Sequence, residues 1–525
     1  MSLKCQKFSR RDRTFTTLLL AAWLFGMALY GLAYKTATAG LTSQGDNPSD
    51  LNFGTSVDES TSHLRHLLFV HVHSNCTPRS VETYPPDLFT LEQKQHGAII
   101  IHIAVAVWLF AALAVICNDY FLASMEVLCD VLHLKPDVAG ATFMAGSSSA
   151  PELLTSIIGV FFAESDVGVS TIVGSAVFNI LMIVSMCGLL SSRLVCLSWW
   201  PLFRDCSFYC VSVVALVAVI YDGLVTWFES VILVGMYIMY IVLMFFNDRL
   251  DSAISSRYPS LGTGAAYKLY GKTDAIDNER EVLLSQSGES PRGYACIDLP
   301  LVSVTAPEEQ GPESPFLMPK GFLRRTSWIC MLPWTCAFFV SIPDCRRPGI
   351  WRRLFPLTLV SSVAWISGIS YLMVWMVCAA GDALGIPDTV MGLTLLAAGT
   401  SVPDCMAAVF VSKGGLGDMA VSNSIGSNVF NILICLGLPW LISTVIIEPG
   451  SSVIINSSGL TYSSITLFST IVFLFIIVYY NKMQLNFRLG LTCLIVYLVV
   501  TTLSCLYETN VFGPLNPPPC PRTRM

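Results

Sequence analysis

Apolar and polar residues alternate along this chain in blocks too long for a water-soluble fold. Apolar segments lie at about 98–117, 138–162, 168–190, 206–221 and 228–246. They recur at about 354–379, 388–412, 421–446, 463–481 and 488–507. Each is close to the ~20 residues a helix needs to cross a bilayer. The pattern predicts an all-α polytopic membrane protein of about ten transmembrane helices, arranged as two five-helix halves, 98–246 and 354–507.

The polar blocks give these halves an orientation. In residues 1–39, Lys4, Lys7, Arg10, Arg11 and Arg13 precede an apolar run from Leu18 to about Ala33, and small residues follow at Ala37-Thr38-Ala39. This reads as a signal peptide or an uncleaved leader helix. Residues 40–97 are polar and acidic and form an expected extracellular or lumenal N-terminal segment. Within it, Asn75-Cys76-Thr77 is an acceptor for an N-glycan. Five crossings that start outside end inside, so 247–353 is the expected cytoplasmic loop. Arg324-Arg325, Arg346-Arg347 and Arg352-Arg353 near its end agree with that side. Its Ser-, Pro-, Gly- and Glu-rich part between Asp274 and Pro315 reads as disordered. Trp328 to Ile342 is apolar but short and holds Pro333, which suggests an interfacial helix rather than a span. The tail, 508–525, is Pro-rich.

Composition agrees with this class. The chain is 54% hydrophobic and 13% charged, against about a quarter charged in soluble domains. A net charge of −6 without basic patches argues against nucleic acid as a partner. The eighteen cysteines lack zinc-type pairing, and most sit singly in apolar runs as small hydrophobes. Cys76 and Cys520 lie in polar segments and could pair if both face an oxidising compartment.

Polar residues inside the apolar blocks carry the functional signal. From Gly140 the chain runs through Thr142, Ala145, Ser149, Pro151 and Glu152 to Asp166, Ser175 and Asn179. At a constant separation of 252 positions stand Gly392, Thr394, Ala397, Ser401, Pro403 and Asp404, then Asp418, Ser427 and Asn431. One gapless offset over this length is an internal repeat. Five crossings separate the copies, so they lie in the membrane upside down relative to each other. Inverted repeats with broken helices meeting at the midplane are characteristic of secondary transporters.

Each copy offers oxygen ligands. Ser148 and Ser149 precede Glu152 by four and three residues and share its helix face, as Thr400 and Ser401 do for Asp404. Pro151 and Pro403 loosen their helices, which points to backbone carbonyls at or near Ala145 and Ala397 as further ligands. Ser175 precedes Asn179 by four, and Ser427 precedes Asn431 by four. Gly174 and Gly426 are expected to permit close helix approach. Two carboxylates, two amides, hydroxyls and carbonyls make a hard-cation set suited to Ca²⁺, and no His or Cys accompanies the motifs to favour zinc or copper. Asp166 and Asp418 fall at segment junctions, as helix-start caps or entrance charges. The string Gly415-Leu416-Gly417-Asp418 with Tyr221-Asp222 imitates an intramembrane aspartyl protease, but both aspartates sit near segment ends and Asp418 already has its repeat partner.

These stretches resemble the calcium/cation antiporter superfamily and, within it, the potassium-dependent sodium/calcium exchangers. The resemblance rests on Asp137 to Met144, Ser148 to Leu153, Gly168 to Asn179, Trp200 to Asp205, Met391 to Asp404 and Gly415 to Asn423, and covers about 88–248 and 350–507. It implies ten helices in two inverted repeats after a leader. It also implies central ion ligation by Glu152 and Asp404, completed by Ser148, Ser149, Ser175, Asn179, Thr400, Ser401 and Ser427. Two departures stand out. The Gly of the family's Ala-Gly-Ser-Ser or Ala-Gly-Gly-Ser is displaced in Gly146-Ser147-Ser148-Ser149. Asn431 stands where potassium-dependent members carry Asp.

The expected function is antiport of Ca²⁺ against Na⁺, with K⁺ co-transport placed in doubt by Asn431. No resident cofactor and no enzymatic reaction are expected. Ca²⁺/H⁺ antiport and a cation channel are the alternatives. A channel fits less well, because its rings of like residues contrast with one Glu opposed to one Asp. The membrane is that of the cell surface or of a secretory-pathway organelle.

Overall fold

The structure, a computed structural model, describes residues 77–132, 143–247, 316–513 and 516–520, apart from positions 78, 144, 164, 191–194, 198, 317, 319–320, 348, 414–416, 482 and 519. The leader, Asn75, Cys76, Gly140, Thr142 and most of the 247–353 loop lie outside the described residues.

Among the described residues, nine helices are long and apolar enough to cross a membrane. They are α1 (His96–Val131), α3 (Val167–Leu190), α4 (Trp199–Ile220), α5 (Trp227–Phe245), α6 (Phe355–Leu384), α7 (Asp388–Val409), α8 (Ala420–Ile447), α9 (Gly459–Tyr480) and α10 (Phe487–Glu508). The remaining expected crossing appears as α2 (Ala150–Phe161), preceded by the single turn Ala145–Ser148. Helix ends follow local chemistry. Thr226 and Glu229 form a capping box at the start of α5. The Asn486 side chain accepts from the Leu489 amide at 2.9 Å at the start of α10. Gly385, at φ 70°, ends α6 in the left-handed conformation that glycine tolerates.

Two helices outrun their apolar blocks. α1 continues past 117 through a π-helical turn, Cys117–Phe121, into a polar extension bearing Glu126 and Asp130. α4 begins at Trp199 rather than 206. Arg204 donates to Asp205 at 2.7 and 3.1 Å and to Asn247 at 2.6 Å, while Ser422 also donates to Asp205. The charges are neutralised within the fold, so they do not mark a helix end.

Two short antiparallel strand pairs tie the halves together. β1 (Val195–Cys196) pairs with β4 (Gln484–Leu485), and β2 (Leu224–Val225) pairs with β3 (Val453–Ile454). β1 follows α3 and β2 follows α4, so the pairs sit at opposite ends of the bundle. Exchanging the halves maps one pair onto the other, as inverted repeats require.

The apolar interior is divided. One buried cluster is built from α3–α5 and α7–α10 around Tyr209, Trp440 and Leu467. A second joins α1, α2 and α6 through Leu113, Ile116, Ile366 and Val374. The helix Phe322–Ser341 begins earlier than the apolar stretch at Trp328, and it packs aromatic residues on α1 and α6. Trp108 donates to the Cys330 carbonyl at 2.9 Å, and Trp334 lies 5.2 Å from Trp108 and 6.1 Å from Trp365 between ring centres.

Candidate functional site

The two prolines act differently in the two repeats. Pro151 lacks the N–H that would reach residue 147. The first copy breaks there, at Ser149 (φ −94°, ψ 9°), between the turn Ala145–Ser148 and α2. Pro403 sits inside a continuous helix, Ala397–Lys413. The carbonyls expected to be vacated are engaged: Ala145 accepts from the Ser149 amide at 3.1 Å and from Ser148 Oγ at 3.2 Å. Thr400 Oγ1 donates to Leu396 at 3.0 Å and to Ala397 at 3.4 Å.

Glu152 and Asp404, from opposite repeats, are both buried and lie within electrostatic range of each other, and Cys117 lies within range of both. Thr400 and Ser401 face the Glu152 carboxylate across the repeat boundary. Glu152 is fully buried, and although the Thr400 and Ser401 hydroxyls lie near it, neither of its oxygens makes a hydrogen bond of ordinary geometry. Asp404 Oδ2, Ser149 Oγ, Ser401 Oγ and Asn179 Oδ1 are likewise buried without partners. Each such oxygen costs roughly 1–3 kcal/mol if left so, and a buried carboxylate costs more. A cation among them would repay that cost. Among the described residues, no three His, Cys, Asp or Glu side chains are grouped to hold a metal ion, so a cation here would draw on hydroxyls, amides and carbonyls as well as the two acids.

The amides extend the site. Asn179 lies in a π-helical turn, Phe178–Ile183, and Asn431 opens the corresponding turn, Asn431–Leu436. Such turns recur at functional sites. Asn179 Nδ2 donates to Asn428 Oδ1 at 3.0 Å, and Ser424 Oγ donates to the Asn179 carbonyl at 2.8 Å. Cys435 Sγ lies 3.5 Å from Asn431 Oδ1 and 3.8 Å from the Ser149 carbonyl. Ser175 and Ser427 donate to the carbonyls of Ile172 and Ser424 at 3.0 and 2.9 Å, which leaves their oxygens able to accept or ligate. Asn428, Ser424, Cys435 and Cys117 are additions to the sequence-derived set. The position matching Asn428 in the first copy is Ala176, so comparison of the repeats hides it.

Other expectations divide. A methyl group on Gly174 would lie 2.5 Å from the Leu393 carbonyl and 2.7 Å from Ala397 Cβ, so close approach does require this glycine. On Gly426 the nearest atom would be Tyr240 Oη at 3.5 Å, an ordinary contact, so close approach does not explain that glycine. Asp166 stands at the start of α3 without capping it. Its Oδ2 instead accepts from the Asn456 and Ser457 amides at 3.0 and 2.8 Å, and burial pushes its carboxyl up to about 7. Asp222 accepts from the Leu224 amide at 3.1 Å in a turn. The Asp418 side chain lies outside the described residues.

Comparison with known proteins places the chain rather than its site residues. The family described as sodium/calcium exchanger protein matches residues 102–246 and 354–506, the two five-helix halves. A probable sodium/potassium/calcium exchanger of Drosophila melanogaster is 39% identical, over 86% of this chain and 86% of its own. Sodium/potassium/calcium exchanger 5 of Homo sapiens is 40% identical, over 84% of this chain and 90% of its own. A solved structure of the sodium-calcium exchanger NCX_Mj, soaked with Na⁺ and Sr²⁺, aligns with a TM-score of 0.42 at 17% identity, over 77% of this chain and 98% of that one. The chain is a multi-pass membrane protein and belongs to the sodium/calcium exchanger family.

Proposed function

We propose that this protein exchanges Ca²⁺ for Na⁺ by alternating access, binding the ions between Glu152 and Asp404. The observation that carries the reading is the meeting of these two buried acids from opposite repeats, with unpartnered oxygens around them. Two carboxylates balance one Ca²⁺, and the hydroxyls of Ser148, Ser149, Ser175, Thr400, Ser401 and Ser427 with the amides of Asn179 and Asn431 offer the six to eight oxygens it takes. Na⁺ ions occupying overlapping oxygens would exclude it. An empty site leaves two buried negative charges and resists crossing, which couples the two fluxes.

Several relatives are named for potassium as well as sodium and calcium. Here neutral Asn431 leaves no third carboxylate, so K⁺ dependence is weakened or lost. The ions are cargo, and the protein works as a transporter rather than an enzyme. The bilayer is its setting, at the cell surface or in a secretory-pathway organelle. The N-terminal segment lies extracellular or lumenal, where Asn75 would accept a glycan.

The test is Ca²⁺ flux into vesicles under an imposed Na⁺ gradient, with and without K⁺. Flux should follow the Na⁺ gradient, persist without K⁺, and vanish in Glu152→Gln and Asp404→Asn with expression intact. Flux indifferent to Na⁺ sinks the reading, and flux that follows a proton gradient replaces it with Ca²⁺/H⁺ antiport.

A further inference from the structure

Away from the central acids, on the face of the bundle that carries the N-terminal segment, lies a cavity of about 360 Å³. Its walls come from parts distant in sequence: the start of α3, the turn from α6 to α7, the loop before α9, the end of α10, and both polar segments, 77–81 and 516–518. Those two segments roof it as a strap. The Thr77 amide donates to the Pro518 carbonyl, the Cys520 amide to the Thr77 carbonyl, and Arg79 Nε to the Cys520 carbonyl, each at 2.9 Å. Cys520 is disulfide-bonded, which fixes the strap covalently; Cys76, the partner suggested by sequence, lies outside the described residues.

Four carboxylates line the cavity and Arg79 is the one cationic side chain among the lining residues. Arg79 is committed to Asp382 at 2.5 Å. Asp166, Asp388 and Glu508 remain. Asp166 is held by two backbone amides, as described, and Asp388 Oδ2 accepts from the Ser80 amide at 3.3 Å. Glu508 Oε2 accepts from Ser457 Oγ at 2.8 Å and from Asn516 Nδ2 at 3.1 Å. The other oxygen, Glu508 Oε1, makes no hydrogen bond of ordinary geometry although the residue is 2% exposed and Thr389 lies near the carboxylate, and Ser80 Oγ, on a residue 1% exposed and beside Asp388, makes none either. Two unpartnered buried oxygens, in a cavity with three carboxylates in excess of its cations, describe a place that lacks a positive charge. All the donors are hard oxygens, and the space admits several waters at about 30 Å³ each.

We propose that this cavity binds a hard divalent cation through Glu508 and Asp388, with Ser80 and water completing its shell, at a site separate from Glu152 and Asp404. An ion there would also pin the strap to the helix ends.

The test is equilibrium binding of radiolabelled Ca²⁺ to the purified full-length chain carrying Glu152→Gln and Asp404→Asn, which lack the central charges. One Ca²⁺ per chain should still bind, with Mg²⁺ but not K⁺ competing. Adding Glu508→Gln should weaken that binding by about tenfold or more. Asp388→Asn should do the same and serves as the second variant, with thermal unfolding as the check that each chain is folded. Absence of binding at millimolar Ca²⁺ in the folded double variant overturns the proposal. So does binding that survives both cavity substitutions, or that K⁺ displaces as readily as Mg²⁺ does. None of these readouts depends on transport, so failure of the exchange reading and failure of this one are separable.

Discussion

Asn179 of the first repeat donates its side-chain amide to the Asn428 side chain of the second at 3.0 Å, deep in the bundle and with no water-exposed alternative. This bond fixes the orientation of the Asn179 amide, whose Oδ1 has no donor of its own and is free to ligate an ion in the proposed site. Asn428→Ala would leave the Asn179 amide unsatisfied, at a cost of roughly 1–3 kcal/mol. The expected result is a rise of about tenfold in the Ca²⁺ concentration for half-maximal flux, because 1.4 kcal/mol is a factor of ten. An unchanged half-maximal concentration would show that the bond does not position a ligand.

Cys435 Sγ links Asn431 Oδ1 to the Ser149 carbonyl, which puts Asn431 next to the proposed site. Asn431→Asp places a third carboxylate there. Ca²⁺ alone would then leave a negative charge uncompensated, and a monovalent ion would relieve it. Flux in this variant should become dependent on K⁺ on the Ca²⁺ side. If K⁺ removal still has no effect, charge counting is the wrong account of ion selection.

Gly174 and Gly426 are repeat partners that the fold treats differently. Gly174→Ala forces a methyl group into the Leu393 carbonyl and Ala397, and overpacking of this kind costs typically about 1–3 kcal/mol. Gly426→Ala meets only ordinary contact distances. Thermal unfolding in detergent should show a clear drop for the first and little change for the second. Equal drops would mean that close approach is not the reason for Gly174.

Asp87 anchors the N-terminal segment through Lys94 Nζ at 2.6 Å and His102 Nε2 at 2.7 Å. Burial works to raise its carboxyl, but the hydrogen bonds from Lys94 and His102 outweigh it and hold the group below the usual carboxylate range. A depressed pKa stabilises the folded form above the unfolded value and is lost as pH falls through the folded one. The anchor should therefore persist at mildly acidic pH and fail only below about pH 4. Asp87→Asn leaves Lys94 buried beside a neutral side chain and should destabilise by the order of 3 kcal/mol. Limited proteolysis of the N-terminal segment across pH reads both effects, and cleavage that begins near pH 6 in the unaltered protein would contradict the assignment.

Much of this was legible in the sequence, for identifiable reasons. Helix positions follow from apolar runs, because a bilayer leaves the backbone no other way to satisfy itself. Glu152 and Asp404 stood out because an acid in such a run demands a partner, and the constant offset supplied one. Boundaries failed where charge is neutralised internally, as at Arg204–Asp205 in α4, or where a helix leaves the apolar zone without stopping, as α1 does after Cys117. Asn428 was hidden because its importance lies in a contact between repeats, while the offset compares only like with like. The carbonyls of Ala145 and Ala397 show the opposite limit: proline chemistry indicates that a hydrogen bond is lost, but the carbonyl affected lies four residues before each proline.

The two strand pairs constrain how such a molecule can move. β1–β4 and β2–β3 link the halves at both ends of the bundle, and all four strands lie beside the larger apolar cluster. Hinging the clasped helices open along their middle would break one of these pairs. α1 and α6 take no part in either strand pair and pack together with α2 in the smaller apolar cluster. If the proposed exchange works by alternating access, the movement would have to leave both strand pairs intact, which puts it on the cluster of α1, α2 and α6.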